Sequence, residues 1–369
     1  MKLRRWIAIT TVLAMLGMAG CTPAADNPDA AAENTETTAD TEATTNTETL
    51  EVLNTADFKE VETIEELFPS DINLSGTKED GTPWKIAWSS MNNAQESMAY
   101  MTGIMEDLAA EYGFELITFD GQNDPQKQTS DVNSAITQGC DALIIAPIDP
   151  TSQNTVMQRA KDAGMLVICV QNVVDDPECY DMYVGPDDVQ AGQLAASYLI
   201  ETMPEGGKVV MIEGNPGETC QINRAKGFNG VMAGHPEFEI LESQAAQAWS
   251  TAEAMNIMDS FMSKYPEIDA VYCHWDIGVA AAMQAAEAAG RVDEMVFLGV
   301  DGVQAALDAI KTGGPFKSTA LQDFELSSTA QTLATLACLN GDGDKLDKDM
   351  YVDFVCITEE NASDFNVGW

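Results

Sequence analysis

Gly139-Cys140-Asp141-Ala142-Leu143-Ile144-Ile145-Ala146-Pro147-Ile148-Asp149-Pro150 is the stretch whose reading decides the fold. Residues 142–146 are apolar without a polar face, and Pro147 stops the run. So short an apolar run suits a strand buried on both faces, as in a parallel sheet covered by helices. Working outward, residues 151–163 predict a helix ended by Gly164, and 166–170 predict the next strand. Upstream, 85–89 and 114–119 predict strands, with helices over 94–112 and 130–138. The alternation restarts after Asp187. Helices are expected over 189–202, 222–233, 251–264 and 278–290, among strands at 208–212, 239–243, 270–274 and 295–300. Repeated βα units of this length imply an α/β protein with parallel sheets and right-handed crossovers. Two such runs in succession imply two Rossmann-like lobes with a cleft between them.

The N-terminal end has a different character. Lys2, Arg4 and Arg5 precede an apolar run over 6–18, shorter than the ~20 residues a membrane helix needs. Residues 1–20 therefore read as a secretory leader. Ala19 and Gly20 stand before Cys21, a pattern that resembles the bacterial lipobox, so cleavage before Cys21 and lipidation of its sulfur are expected. Residues 22–50 hold nine threonines and seven acids with no Lys, Arg or aromatic residue. Such a stretch lacks the apolar surface to offset the entropy of ordering and reads as a flexible tether, spanning roughly 30 Å on average. Residues 51–83 form an extension in which 58–68 have the pattern of a short amphipathic helix before Pro69.

Charge and composition exclude several functions. The leader takes three of the 18 Lys and Arg, leaving 15 against 60 Asp and Glu, a formal charge of −45. Nucleic acid is excluded as a partner, because phosphate binding needs basic clusters. Anionic lipid would repel so acidic a body, so any membrane attachment is expected through the Cys21 lipid. Seven cysteines follow Cys21, with no CxxC pair, and the two histidines are His235 and His274. No metal site, cofactor motif or nucleophile–base pair is recognisable, so an enzyme is not expected. Cys169 and Cys179 could close a short loop, but Cys169, Cys273 and Cys356 sit in apolar runs where cysteine serves as a small hydrophobe.

In open α/β sheets, ligands bind beyond the carboxyl ends of the strands. The residues at those positions are Asn92, Asn93, Gln95 and Glu96, then Gln171 and Asn172, and the loop over 214–224 with Arg224. Trp249, Trp275, Asp276, Asp301 and Gln322 complete the set. Amides, carboxylates and a guanidinium suit vicinal hydroxyls, and indole faces suit the C–H face of a sugar ring. Asp276 and Asp301 also precede helices, where aspartate is a favoured N-cap.

These residues bring the chain close to a known family. From about Lys85 onward it resembles the periplasmic sugar-binding proteins of ABC importers, in the ribose and galactose/glucose branch. Asp120-Gly121-Gln122-Asn123-Asp124-Pro125-Gln126-Lys127-Gln128 is similar to the family's D-x-Q-N-D-x-x-K-Q stretch. Arg224-Ala225-Lys226-Gly227-Phe228 is similar to its R-x-x-G-F helix start, whose arginine holds sugar hydroxyls. Ala248-Trp249-Ser250-Thr251-Ala252 matches the stretch with a ring-stacking aromatic. Gly299-Val300-Asp301-Gly302 and Leu321-Gln322-Asp323 match the strands that supply an aspartate and an amide. The resemblance implies a type I periplasmic binding fold with a three-strand hinge, crossing near residues 186–187, 322–323 and 353–354. It assigns 84–186 plus 323–353 to one lobe and 187–322 plus 354–369 to the other.

The same resemblance implies an extracytoplasmic, monomeric binding protein. It would close on a small neutral sugar, pyranose ahead of furanose, and deliver it to an ABC permease. A sensor role, or a nucleoside, cyclitol or furanosyl ligand, is the alternative. Departures from the family fall at the ligand: Gln95 or Glu96 replaces a phenylalanine, Gln171-Asn172 replaces Asp-Arg, and Trp275 replaces an asparagine. Asn340-Gly341-Asp342-Gly343-Asp344 lacks the Gly and Glu of a calcium loop and reads as a polar turn.

Overall fold

Continuous apolar runs become the interior of two sheets, each covered by helices. The computed structural model describes residues 48–60 and 63–367. The leader, Cys21 and nearly all of the tether lie outside the described residues. The described residues belong to one compact unit.

Ahead of the first sheet comes a single helical turn, α1 (Ile64–Leu67). The first sheet then alternates β1 (Lys85–Ser90), α2 (Glu96–Tyr112), β2 (Glu115–Asp120), α3 (Pro125–Thr137), β3 (Ala142–Ile145), α4 (Asn154–Asp162), β4 (Leu166–Cys169) and β5 (Met182–Pro186). The second alternates α5 (Asp188–Thr202), β6 (Gly207–Glu213), α6 (Thr219–Met232), β7 (Phe238–Ala245), α7 (Thr251–Lys264) and β8 (Ala270–Cys273). It continues through α8 (Asp276–Ala288), β9 (Val296–Asp301), α9 (Gln304–Lys311) and β10 (Phe316–Leu321). After α10 (Phe324–Leu339), β11 (Asp349–Val352) joins the first sheet and β12 (Val355–Thr358) the second. The orders are β11-β5-β4-β3-β1-β2 and β12-β10-β9-β8-β6-β7, parallel except for β12 against β10. The chain passes between sheets after β5, after β10 and between β11 and β12. Because α10 packs in the core of the first sheet and α5 in that of the second, each sheet with its helices is a lobe.

Local chemistry places the boundaries. β3 is buried along its whole length, as its unbroken apolar run requires. α3 starts earlier than residue 130, because Asp124 caps it by accepting from Gln126 N–H and Lys127 N–H, with Pro125 in the first helical position. β5, β10, β11, α9 and α10 were not read from periodicity; β5 has a proline and a glycine in five residues.

The expected helix over 58–68 is a correction. Among the described residues only α1 is α-helical there, after a 3-10 turn at Thr55–Phe58. Glu66 accepts from the Thr63 N–H at 2.7 Å, which starts the helix late, and Phe68 is extended before Pro69, which ends it after one turn.

The extension is nonetheless a strap over both lobes. On the second, Leu50 N–H donates to Gly230 O at 2.9 Å and Leu53 N–H to Ser197 Oγ at 2.9 Å. There too, Thr55 Oγ1 donates to Glu201 at 2.6 Å, and Lys59 pairs with Glu360. On the first, Phe68 is buried, and Ile64, Leu67, Ile72 and Leu74 pack against the same core as α10. The polar turn at 340–344 receives it: Asn340 Nδ2 donates to Ser75 O at 2.8 Å, and Asp342 accepts from Asn73 N–H at 2.7 Å.

Candidate functional site

Between the lobes, at the carboxyl ends of the strands, lies a cavity of about 380 Å³. Its second-lobe wall is built around Arg224 on α6. This guanidinium is buried; its Nε donates to Asp188 at 2.8 Å and its Nη1 to the His274 carbonyl. The Nη1 is also 3.6 Å from Asp301. Burial alone would lower the Arg224 pKa, but Asp188 and Asp301 outweigh it and keep the group charged. Asp188 is raised by its own burial, with Arg224 opposing. Asp301 lines the cavity and is pushed up to about 7, by burial first and Asp188 next, against the pull of Arg224.

Two indoles complete that wall. Trp249 Nε1 donates to the buried Glu218 at 2.9 Å, and the Arg224 guanidinium lies 5.7 Å from its ring centroid. Trp275 meets Trp249 edge-on, with centroids 5.6 Å apart. Glycines make room for both: a Cβ at Gly214 would fall 2.0 Å from the Trp249 ring, and one at Gly278 2.5 Å from the Trp275 ring.

The backbone is strained at this cavity. Gln171 (φ 62°), Ala248 (φ 53°), Trp249 (φ 56°) and Asp301 (φ 112°) all hold positive φ without being glycine. Each costs on the order of 1–3 kcal/mol, tolerated where the surroundings over-determine it. All four line the cavity.

The first-lobe wall is neutral apart from the exposed Glu96. Met91, Asn92, Gln95, Met98 and Gln171 contribute, with Phe324 from the start of α10. Gln171 Oε1 accepts from Gln322 Nε2 at 3.0 Å. The Gln322 Oε1 is buried with no partner among the described residues, an acceptor left for something in the cavity.

Nine expected residues thus meet here: Asn92, Gln95, Glu96, Gln171, Arg224, Trp249, Trp275, Asp301 and Gln322. Three do not line the cavity. Asp276 is buried behind the wall, accepting from Gly302 N–H at 2.7 Å, Val303 N–H at 3.0 Å and Thr319 Oγ1 at 2.7 Å. It clamps the loop that presents Asp301, and burial pushes its pKa well above the usual range. Asn172 Oδ1 accepts from Thr219 Oγ1 at 3.0 Å and Cys220 N–H at 3.1 Å, latching the first lobe to the start of α6. Asn93 turns inward, where its Oδ1 accepts from Ser90 Oγ at 2.6 Å, and Asn92 lines the cavity in its place.

Glu218 is the residue sequence reasoning did not single out within the 214–224 loop. It occupies the N-cap position of α6 without capping it, a poor use of an acid that could have drawn notice. Met91, Met98, Ile277 and Phe324 gave no signal distinct from ordinary core residues. Cys169 and Cys179 are separate buried thiols.

Two parallel-sheet lobes, and a cavity at their strand ends with indole walls and a few buried polar groups, define a solute-binding protein. The chain belongs to the family described as periplasmic binding protein domain, whose model matches residues 86–342. That family consists of solute-binding proteins, not enzymes. The chain is 32% identical to the xylitol-binding protein of Mycolicibacterium smegmatis over 70% of its own length and 72% of that protein's. It is 30% identical to the ribose import binding protein of Bacillus subtilis, over 64% and 75% respectively. An ABC transporter solute binding protein from Bacillus halodurans with bound myo-inositol shares 27% identity at a TM-score of 0.71, covering 79% of this chain and 98% of that one.

Proposed function

We propose that this protein is the extracytoplasmic binding component of an ABC importer, and that it encloses a non-anionic monosaccharide or polyol ring between its lobes. The observation that carries the ligand class is the pairing of the buried, unpartnered Gln322 Oε1 with two indole walls and the Arg224 guanidinium around one cavity. An acceptor, a fork of donors and flat apolar faces together fit the hydroxyl edge and C–H face of a ring. Glu96 on one wall and Glu218 and Asp301 on the other disfavour a phosphate or carboxylate. Relatives that bind xylitol, ribose and myo-inositol support the reading.

The Asn172 latch to α6 supports a closing mechanism, in which a ligand bonded to both lobes holds them together and the permease meets the closed shape. A lipid on Cys21 would keep the protein beside that permease. A thermal-shift screen against pentoses, hexoses, cyclitols and nucleosides tests the ligand class, since a ligand that binds the native state raises its melting temperature. Stabilisation by nucleosides alone would overturn it. Cys21→Ser tests the anchor: the variant is expected in the soluble fraction, and one that stays with membranes at high salt would rule the lipid out.

A further inference from the structure

The cavity holds more acid than its basic groups offset. Arg224 is the one Lys or Arg on the wall among the described residues, and Asp188 behind the wall already pairs with it at 2.8 Å. Asp301 shares that same guanidinium at 3.6 Å, and no cation pairs with Glu218 or Glu96 within 4 Å among the described residues. A buried carboxylate normally carries a paired cation, because desolvating an isolated charge is costly. Glu218 has instead only neutral donors, Asn215 Nδ2 at 2.7 Å, Trp249 Nε1 at 2.9 Å and Cys220 Sγ at 3.7 Å. Its burial raises its pKa, as burial does for Asp301. Two indoles line the same wall, and a cation is already drawn to one of them, the Arg224 guanidinium 5.7 Å from the Trp249 ring centroid. The unpartnered Gln322 Oε1, also on the wall and buried, accepts equally well from a hydroxyl or an ammonium.

Resting on the sugar or polyol reading, we propose that the ring this cleft is built for carries an amine: an amino sugar or amino cyclitol whose ammonium supplies the cation that the wall lacks. The ammonium gains charge-assisted hydrogen bonds and the indole faces, while the remaining hydroxyls meet Arg224, Gln171 and Gln322.

Calorimetry on the purified protein with matched pairs tests this: D-glucosamine with D-glucose, D-galactosamine with D-galactose, and an aminodeoxy-inositol with myo-inositol. At least one amine is expected to bind about tenfold or more tighter than its hydroxyl parent. The N-acetyl derivative, uncharged at the same position, should lose that advantage. Glu218→Gln keeps an acceptor for Trp249 and should shrink the preference without abolishing binding of the parent. If neutral parents bind and the amines bind no tighter, the amine proposal is overturned and the sugar reading stands. If no ring in either set binds, the sugar reading falls with it.

Discussion

The two walls of the cleft differ in kind. The second-lobe wall is charged and aromatic, and its groups are held by bonds within that lobe: Arg224 by Asp188 and the His274 carbonyl, Trp249 by Glu218, and the Asp301 loop by Asp276. The first-lobe wall is mostly amide and thioether, with Met91, Met98, Gln95 and Gln171. Thioethers adapt their shape and amides rotate, whereas a guanidinium clamped on two sides does not. The comparison teaches a division of labour. The second-lobe groups are fixed by bonds of their own lobe and the first-lobe groups are of adaptable kinds, and side chains already fixed cost less binding energy to order.

The sharpest way to break this comparison is Arg224→Ala. Losing a charged donor costs ~1.5–3 kcal/mol, about ten- to a hundredfold in affinity. The change also strands Asp188 as a buried, unpaired acid, so the melting temperature should fall as well. Calorimetry and thermal melts on the same sample check both. Unchanged affinity beside a lowered melting temperature would make Arg224 a purely structural residue.

A smaller effect is expected from Asp301→Asn, read through pH. Asp301 titrates near 7 in the folded protein, above the ~3.9 of an unfolded aspartate. The folded state therefore binds this proton more tightly. Its contribution to stability is fully present below pH ~4 and is lost as pH rises towards and through 7. The unliganded wild type should lose melting temperature between pH 5 and 7.5 more steeply than the Asn variant. Parallel slopes would remove Asp301 as the titrating group.

The smallest effect should come from the adaptable side. Gln171→Ala removes one neutral hydrogen-bonding side chain, worth roughly 0.5–1.5 kcal/mol, so affinity should fall by no more than about tenfold. A loss as large as that of Arg224→Ala would invert the comparison and make the first lobe the reader.

Much of this was legible in the sequence because strand and helix leave periodic traces. Residues 142–146 could be nothing but a buried strand beside a helix ending in glycine, and ligand-facing positions follow from strand ends. The pattern does not say which way a side chain turns once it gets there. Asp276 and Glu218 illustrate this, since both are acids at helix starts just beyond strands. Asp276 turns back onto the Gly302 and Val303 amides, and Glu218 turns onto the Trp249 indole in the cavity wall. Only the loops contributed by distant segments separate them. Asn92 and Asn93 differ by one residue of turn geometry. The strap was illegible for another reason: its contacts with Ser197, Gly230 and Asn340 are all more than a hundred residues away in sequence.

That strap has a mechanical side. Among the described residues its first hydrogen bond to the body is Leu50 N–H on Gly230 O, and Gly230 lies on α6, the helix that carries Arg224. A side chain at Gly230 would fall 2.7 Å from Leu50, so the seat is cut to fit. Further along, the strap is fastened to the other lobe through Phe68 and the 340–344 turn. The strap is thus fastened to both lobes, and a change in the angle between them would change the length it has to span.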